Sequence, residues 1–164
     1  MRYIAVATFL SFAIASFAPT HAQETVFIIR HAEKETSGAD PRLIDAGRRR
    51  AASWADMLRP GGIDVIITSD AKRTRETGGI IAERLGVSKM ELPRQDVVGL
   101  VDMLQFDHAD DNVLIVAHTE TIPSIVSSLG VPETVEISQE DFATLLIVMP
   151  GDDADARLVA LRMP

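Results

Sequence analysis

The chain has 164 residues, no cysteine and a formal net charge of −8 at neutral pH. Without cysteine it has neither disulfides nor a thiol nucleophile. Its acidic balance argues against non-specific nucleic-acid binding and makes any local cluster of positive charge informative.

The first segment reads as a targeting signal rather than as part of the fold. Met1-Arg2 is positive, Ile4 to Ala18 is apolar or small with threonine and serine interruptions, and Thr20-His21-Ala22 supplies small residues for cleavage. This is the layout of a secretory signal peptide, too short in its apolar part for a membrane span. Cleavage after Ala22 is preferred over Ala18. Removing residues 1–22 leaves 142 of the 164 residues and takes the net charge from −8 to −9. Residues 23–164 then form one domain, exported to the periplasm or outside the cell, with no stable membrane anchoring after cleavage.

Val26 to Ile29 is a short apolar run rich in β-branched residues, followed by Arg30-His31-Ala32-Glu33-Lys34. Ala51, Trp54, Ala55 and Leu58 then repeat at helical spacing. Val65-Ile66-Ile67 is a second strand, followed by Thr68 to Thr77. Thr77, Ile81 and Leu85 mark a second helix, and Val97, Leu100, Val101 and Leu104 a third. Val113 to Val116 is another buried strand, ending in Ala117-His118-Thr119-Glu120. Ile122, Ile125, Val126 and Leu129 give a fourth helix, and Leu145 to Val148 a further strand. Arg157 to Arg162 suits an edge strand. Gly61-Gly62, Gly86 and Gly130 stand where helices end.

The predicted order is strand, helix, strand, helix, helix, strand, helix, strand, strand. Alternation of this kind implies an α/β fold: a single three-layer domain with a mostly parallel central sheet and helices on both faces. The ligand site of such a sheet lies beyond the carboxyl ends of its strands. His31 and His118 both follow buried strands directly. Asp70 and Thr119 are the predicted N-caps of the helices that follow. Arginine suits phosphate because its planar fork meets two oxygens at once.

Arg30-His31-Ala32-Glu33 resembles the Arg-His-Gly signature of the histidine phosphatase, or phosphoglycerate-mutase-like, superfamily. Thr68 to Thr77 is similar to its Ser-Ser-x-x-x-Arg-x-x-x-Thr segment, with Arg73 at the arginine. Val113 to Thr121 resembles its strand ending in Gly-His, with His118 at the histidine. Leu43 to Ala51 resembles its Leu-Thr-x-x-Gly-x-x-x-Ala segment. Four motifs in order cover nearly all of the chain after residue 22.

The resemblance implies a phosphoric monoester hydrolase of the histidine acid phosphatase type, with no metal and no cofactor. His31 would be the nucleophile, passing through a phosphohistidine. Arg30, Arg73 and His118 would hold the phosphoryl oxygens. The substrate would be a small-molecule or surface-polymer phosphate. Three departures stand out: Ala32 and Ala117 replace glycines, and Ile44 replaces a threonine, read as packing. The proton donor is missing from its usual places. Thr119 stands where one branch has aspartate, and Val87 to Asp111 is too short for the other branch's insertion. Glu33 and Glu120 are the nearest candidates. A catalytically weak phospholigand-binding module of the same fold is the alternative. A metal hydrolase is disfavoured because Arg30 and Arg73 would repel a divalent cation.

Of the remaining residues, Arg75 reads as solvated surface, Arg48-Arg49-Arg50 as a solvated face or an anion-attracting rim shared with Lys34 and Lys72, and Trp54 as packing. His108 reads as a solvated loop residue, and the acidic run from Asp152 to Asp155 as a turn.

Overall fold

The computed structural model describes residues 25–151 and 156–163. The proposed signal segment, His21 and the run from Asp152 to Asp155 lie outside the described residues. In chain order the elements are β1 (Val26–Arg30), α1 (Asp45–Leu58), β2 (Val65–Ser69), α2 (Lys72–Leu85), β3 (Ser88–Leu92), α3 (Val97–Phe106), β4 (Val113–Ala117), α4 (Ile122–Ser128), β5 (Thr144–Met149) and β6 (Arg157–Arg162). The sheet order is β3-β2-β4-β1-β5-β6. The first four of these strands run parallel, and β5 and β6 are antiparallel to their neighbours.

Period-2 alternation sends successive side chains to opposite faces of the sheet. Ile28, Val65, Ile67, Val113 and Ile115 pack with Leu100 and Leu104 of α3 and with Ile122, Ile125 and Val126 of α4. Phe27, Ile29, Ile66, Leu114 and Val116 pack on the other face with Trp54, Ala55 and Leu58 of α1 and Ile81 of α2. Both faces are covered, so β1, β2 and β4 are apolar nearly throughout. Trp54 is fully buried, as its place in the helical stripe predicts.

The sequence reading is corrected at one element. β3 is a sixth strand that the predicted order omits. Ser88-Lys89-Met90-Glu91-Leu92 lies at an edge, pairs only with β2, and is exposed or half-buried along its length. It has no apolar run because it has no second neighbour strand and little to bury.

Both predicted N-caps are also corrected. The residue capping α2 is Ala71, which makes no side-chain capping bond. The first helical N–H, that of Lys72, donates instead to Asp40 Oδ1 at 3.0 Å. Asp70 accepts from the Arg94 N–H at 3.1 Å. The α4 cap position is Thr121, and the buried Thr119 Oγ1 makes no hydrogen bond. Ile44 does not pack as expected: it is 42% exposed at the N-cap of α1 and cannot cap it.

Gly47 explains its own motif. A Cβ there would collide with the backbone of Glu33, so α1 lies directly on the loop that follows β1. That close contact fixes the loop that begins with His31.

Candidate active site

Parallel strands deliver the site residues at one edge of the sheet. Arg30 pairs in register with Ala117, and the His31 N–H donates to the Ala117 carbonyl at 3.0 Å. The two histidines therefore leave adjacent strands side by side. Their rings meet edge to face with centroids 5.3 Å apart. Both are buried.

Hydrogen bonds fix the tautomers. His31 Nδ1 lies 2.8 Å from the Ala32 carbonyl. A carbonyl only accepts, so Nδ1 carries the proton and Nε2 keeps its lone pair. His118 is held the other way round. Arg73 donates from NH2 to His118 Nδ1 at 3.1 Å, so the proton sits on Nε2, which donates to Ser69 Oγ at 2.8 Å. Ser69 Oγ also lies 2.8 Å from Thr74 Oγ1, which donates to the Ala71 carbonyl. Thr77 Oγ1 accepts from the Ala32 N–H at 3.1 Å. Thus the hydroxyls of the Thr68–Thr77 segment brace both histidines, and the methyl of Ala32 fits where the family motif has glycine.

Burial lowers the His31 pKa to about 3, against the raising effect of the Ala32 carbonyl, and Arg30, Arg73 and His118 lower it further. Burial also lowers His118 to about 3, with Arg73, Arg94 and Arg30 adding to it. Desolvation outweighs the arginine charges as the cause. Both imidazoles are neutral at physiological pH.

The arginines differ in their engagement. Arg73 is buried against His118 and lies 3.9 Å from Asp40. Arg30 turns its terminal nitrogens to the loop before β5. Its NH1 donates to the Gln139 and Asp141 carbonyls and its NH2 to Gln139 Oε1, and its guanidinium stacks on Phe142 at 4.2 Å. Its Nε is buried without a partner, as is the Nε of Arg73.

The two carboxylate candidates part company. Glu33 Oε1 takes a 2.7 Å ion pair from Arg50, and its other oxygen is buried without a partner. Glu120 is exposed, pairs with Arg94 at 3.6 Å, and lines a cleft with Thr121 and Ser124. The Arg48-Arg49-Arg50 run is not a free rim, because Arg48 pairs with Glu76 and Arg50 with Glu33. Arg75 turns to Glu91, away from the histidines. His108 is not freely solvated, since its Nδ1 lies 2.7 Å from Asp111 and its Nε2 reaches Met90 of β3.

Arg94 is the residue that sequence reasoning missed. It follows β3, the omitted strand, and acts electrostatically on both Arg73 and His118. The rule that sites follow strand ends would have found it once Ser88–Leu92 was recognised as a strand. Two clefts meet at Arg94. One, of about 440 Å³, runs beside Asp40, Asp70 and Arg73. The other, of about 330 Å³, runs beside Glu120, Thr121 and Ser124.

A family model described as histidine phosphatase superfamily (branch 1) matches residues 26–95. Over residues 26–95 the chain is similar to the histidine phosphatase superfamily. A stretch of 76 residues, 42% of the chain, is 38% identical to a probable phosphoglycerate mutase GpmB of Yersinia enterocolitica and spans 35% of that protein. Another, of 83 residues and 45% of the chain, is 32% identical to a 2,3-bisphosphoglycerate-dependent phosphoglycerate mutase of Allorhizobium ampelinum and spans 39% of it. The chain thus matches little more than a third of the length of these curated relatives. Among solved structures, the protein histidine phosphatase SixA complexed with tungstate superposes with a TM-score of 0.72 at 20% identity, covering 84% of this chain and 96% of that one. A mycobacterial glucosyl-3-phosphoglycerate phosphatase superposes at 0.64 with 14% identity, covering 86% of this chain and 100% of its own. These likenesses establish the histidine phosphatase fold. His118 and Glu120 lie beyond the 26–95 match, so their places in the site rest on geometry.

Proposed function

We propose that the protein is a metal-independent phosphohydrolase that acts on phosphate monoesters through a phosphohistidine on His31. The observation that carries this reading is the tautomer of His31. With Nδ1 bound to the Ala32 carbonyl, a neutral imidazole holds its free Nε2 lone pair in a pocket with His118 and Arg73. Simple anion binding needs no such nucleophile.

In the proposed reaction Nε2 of His31 attacks phosphorus while the ester P–O bond breaks, and the leaving oxygen gains a proton. Water then attacks the phosphohistidine, releasing phosphate and restoring the imidazole. Arg73 meets the non-bridging oxygens, which carry the charge of the transition state, and His118 joins it by exchanging its Nε2–H bond to Ser69 for a phosphoryl oxygen. Arg30 contributes its cation and its free Nε. Glu120 is the better placed proton donor, since Glu33 is held by Arg50. Clustered guanidinium groups favour an anion over a divalent cation, which supports catalysis without a metal. Export through the Met1–Ala22 segment is part of the same proposal and would put the substrate outside the cytoplasm.

One observation favours the alternative of a weak or inactive phospholigand-binding module: the guanidinium of Arg30 is occupied by the 138–141 loop. Hydrolysis separates the two readings. Residues 23–164 are expected to hydrolyse an aryl phosphate at an undiminished rate in excess chelator. Inhibition by chelator would point to a metal, and phosphate binding without turnover to the binding module.

Arg73 gives a second expected result. Arg73→Ala removes both a phosphate donor and the bond that orients His118. Turnover should fall by roughly 10²- to 10³-fold, with weaker competition by inorganic phosphate. Steady-state kinetics with phosphate as inhibitor measures both, and loss of turnover at unchanged phosphate affinity would remove Arg73 from the binding role.

A further inference from the structure

Arg94 has no role in the reaction proposed above, yet its position is specified. Its backbone N–H is tied to Asp70 Oδ1 at the end of β2, and the turn closes with the Asp96 N–H on the Pro93 carbonyl. Arg94 lines both clefts, and its charge lowers the pKa of buried Arg73 and His118. It is 40% exposed, and its contact with the 56% exposed Glu120 is 3.6 Å long. An exposed pair of this kind holds only weakly against solvent. A carboxylate or phosphate on a ligand that also engages Arg73 can therefore replace Glu120 with a bidentate contact.

The clefts are not equivalent for an anion. The one on the α2 side carries the carboxylates of Asp40 and Asp70. Gln95 lines both and Arg73 lines the α2-side cleft, whereas the α4-side cleft adds Ser124, which can donate a hydrogen bond, and has only Glu120 as an acid. Displacing Glu120 from Arg94 leaves the α4-side cleft suited to negative charge.

We propose that Arg94 is a specificity-determining residue, which selects phosphate monoesters bearing a second anionic group and seats that group in the cleft between the 93–97 turn and α4. This rests on the phosphohydrolase reading for the place of the first phosphate. In the unliganded protein Glu120 covers the Arg94 charge. Binding of the second anion frees Glu120 at the mouth of the site.

The test measures binding, so it does not depend on turnover. Dissociation constants are compared for ω-carboxyalkyl phosphonates of two to five methylenes and alkyl phosphonates of the same lengths. Wild type should prefer at least one carboxylated ligand by about tenfold. Arg94→Gln should abolish the preference, and Glu120→Gln should increase it. No preference in wild type at any length, or a preference that survives Arg94→Gln, overturns the proposal. So does an equal loss of affinity for both series in Arg94→Gln, which would assign Arg94 to the first phosphate. Failure of wild type to hydrolyse any aryl phosphate counts against the phosphohydrolase reading alone, because the phosphonates still report on Arg94.

Discussion

Replacing His31 with alanine is expected to reduce aryl phosphate hydrolysis by about four orders of magnitude or more, the scale of loss when a covalent nucleophile is removed. In the proposed reaction this residue supplies the lone pair that forms the intermediate, and no neighbour can stand in for it. His118 is the other imidazole in the pocket, but Arg73 donates to its Nδ1 and its Nε2 donates to Ser69, so it has no free lone pair. Phosphate binding should largely survive, because Arg73 and His118 remain. The fold should survive too, since the strand pairing of Arg30 with Ala117 and the β1 core do not pass through the imidazole. Kinetics, phosphate competition and a thermal melt on one preparation separate loss of chemistry from loss of structure. Rapid quenching with labelled substrate should trap phosphoprotein in wild type and none in the variant. Near-normal turnover by His31→Ala would end the proposed mechanism.

The legible parts of this molecule were those where burial dictates composition. β1, β2 and β4 are covered on both faces, so each is an apolar run, and the residue after each run marked the site. That placed Arg30, His31, Arg73 and His118 beyond the carboxyl ends of the strands, and the structure links His31, His118 and Arg73 in one cluster. What stayed illegible was what burial does not mark. β3 is a half-exposed edge strand with a mixed pattern, and Arg94 was lost with it. The caps failed for a different reason: the first N–H of α2 is met by Asp40, 32 residues earlier in the chain, and no local pattern announces such a partner. The ties of Glu33 to Arg50 and of Arg30 to the 138–141 loop likewise join distant segments. The Glu33–Arg50 tie separates the two acid candidates, which sequence alone could not do.

Holding two neutral histidines in a buried pocket has a cost that pH exposes. An unfolded histidine titrates near 6.5, whereas His31 and His118 in the folded protein titrate at about 3. Between those values the unfolded chain binds more protons than the folded one. The contribution to stability is therefore fully present above pH 6.5 and is lost as pH falls toward 3. The slope is about 1.4 kcal/mol per pH unit for each histidine, or about 2.7 for the pair at its steepest, a large fraction of an ordinary domain's stability. Urea unfolding between pH 7.5 and 5 isolates this effect, because most carboxylates titrate below that window. The midpoint should fall steeply with pH in wild type and about half as steeply in His31→Asn and in His118→Asn. An oxyanion changes the sign of the local field. In the proposed reading, phosphate held by Arg73 beside the histidines would favour their protonated forms, so saturating phosphate should flatten the wild-type slope. A wild-type midpoint constant from pH 7.5 to 5 would mean that the histidines are solvated in the working protein, and the neutral, pre-organised nucleophile would fall with it.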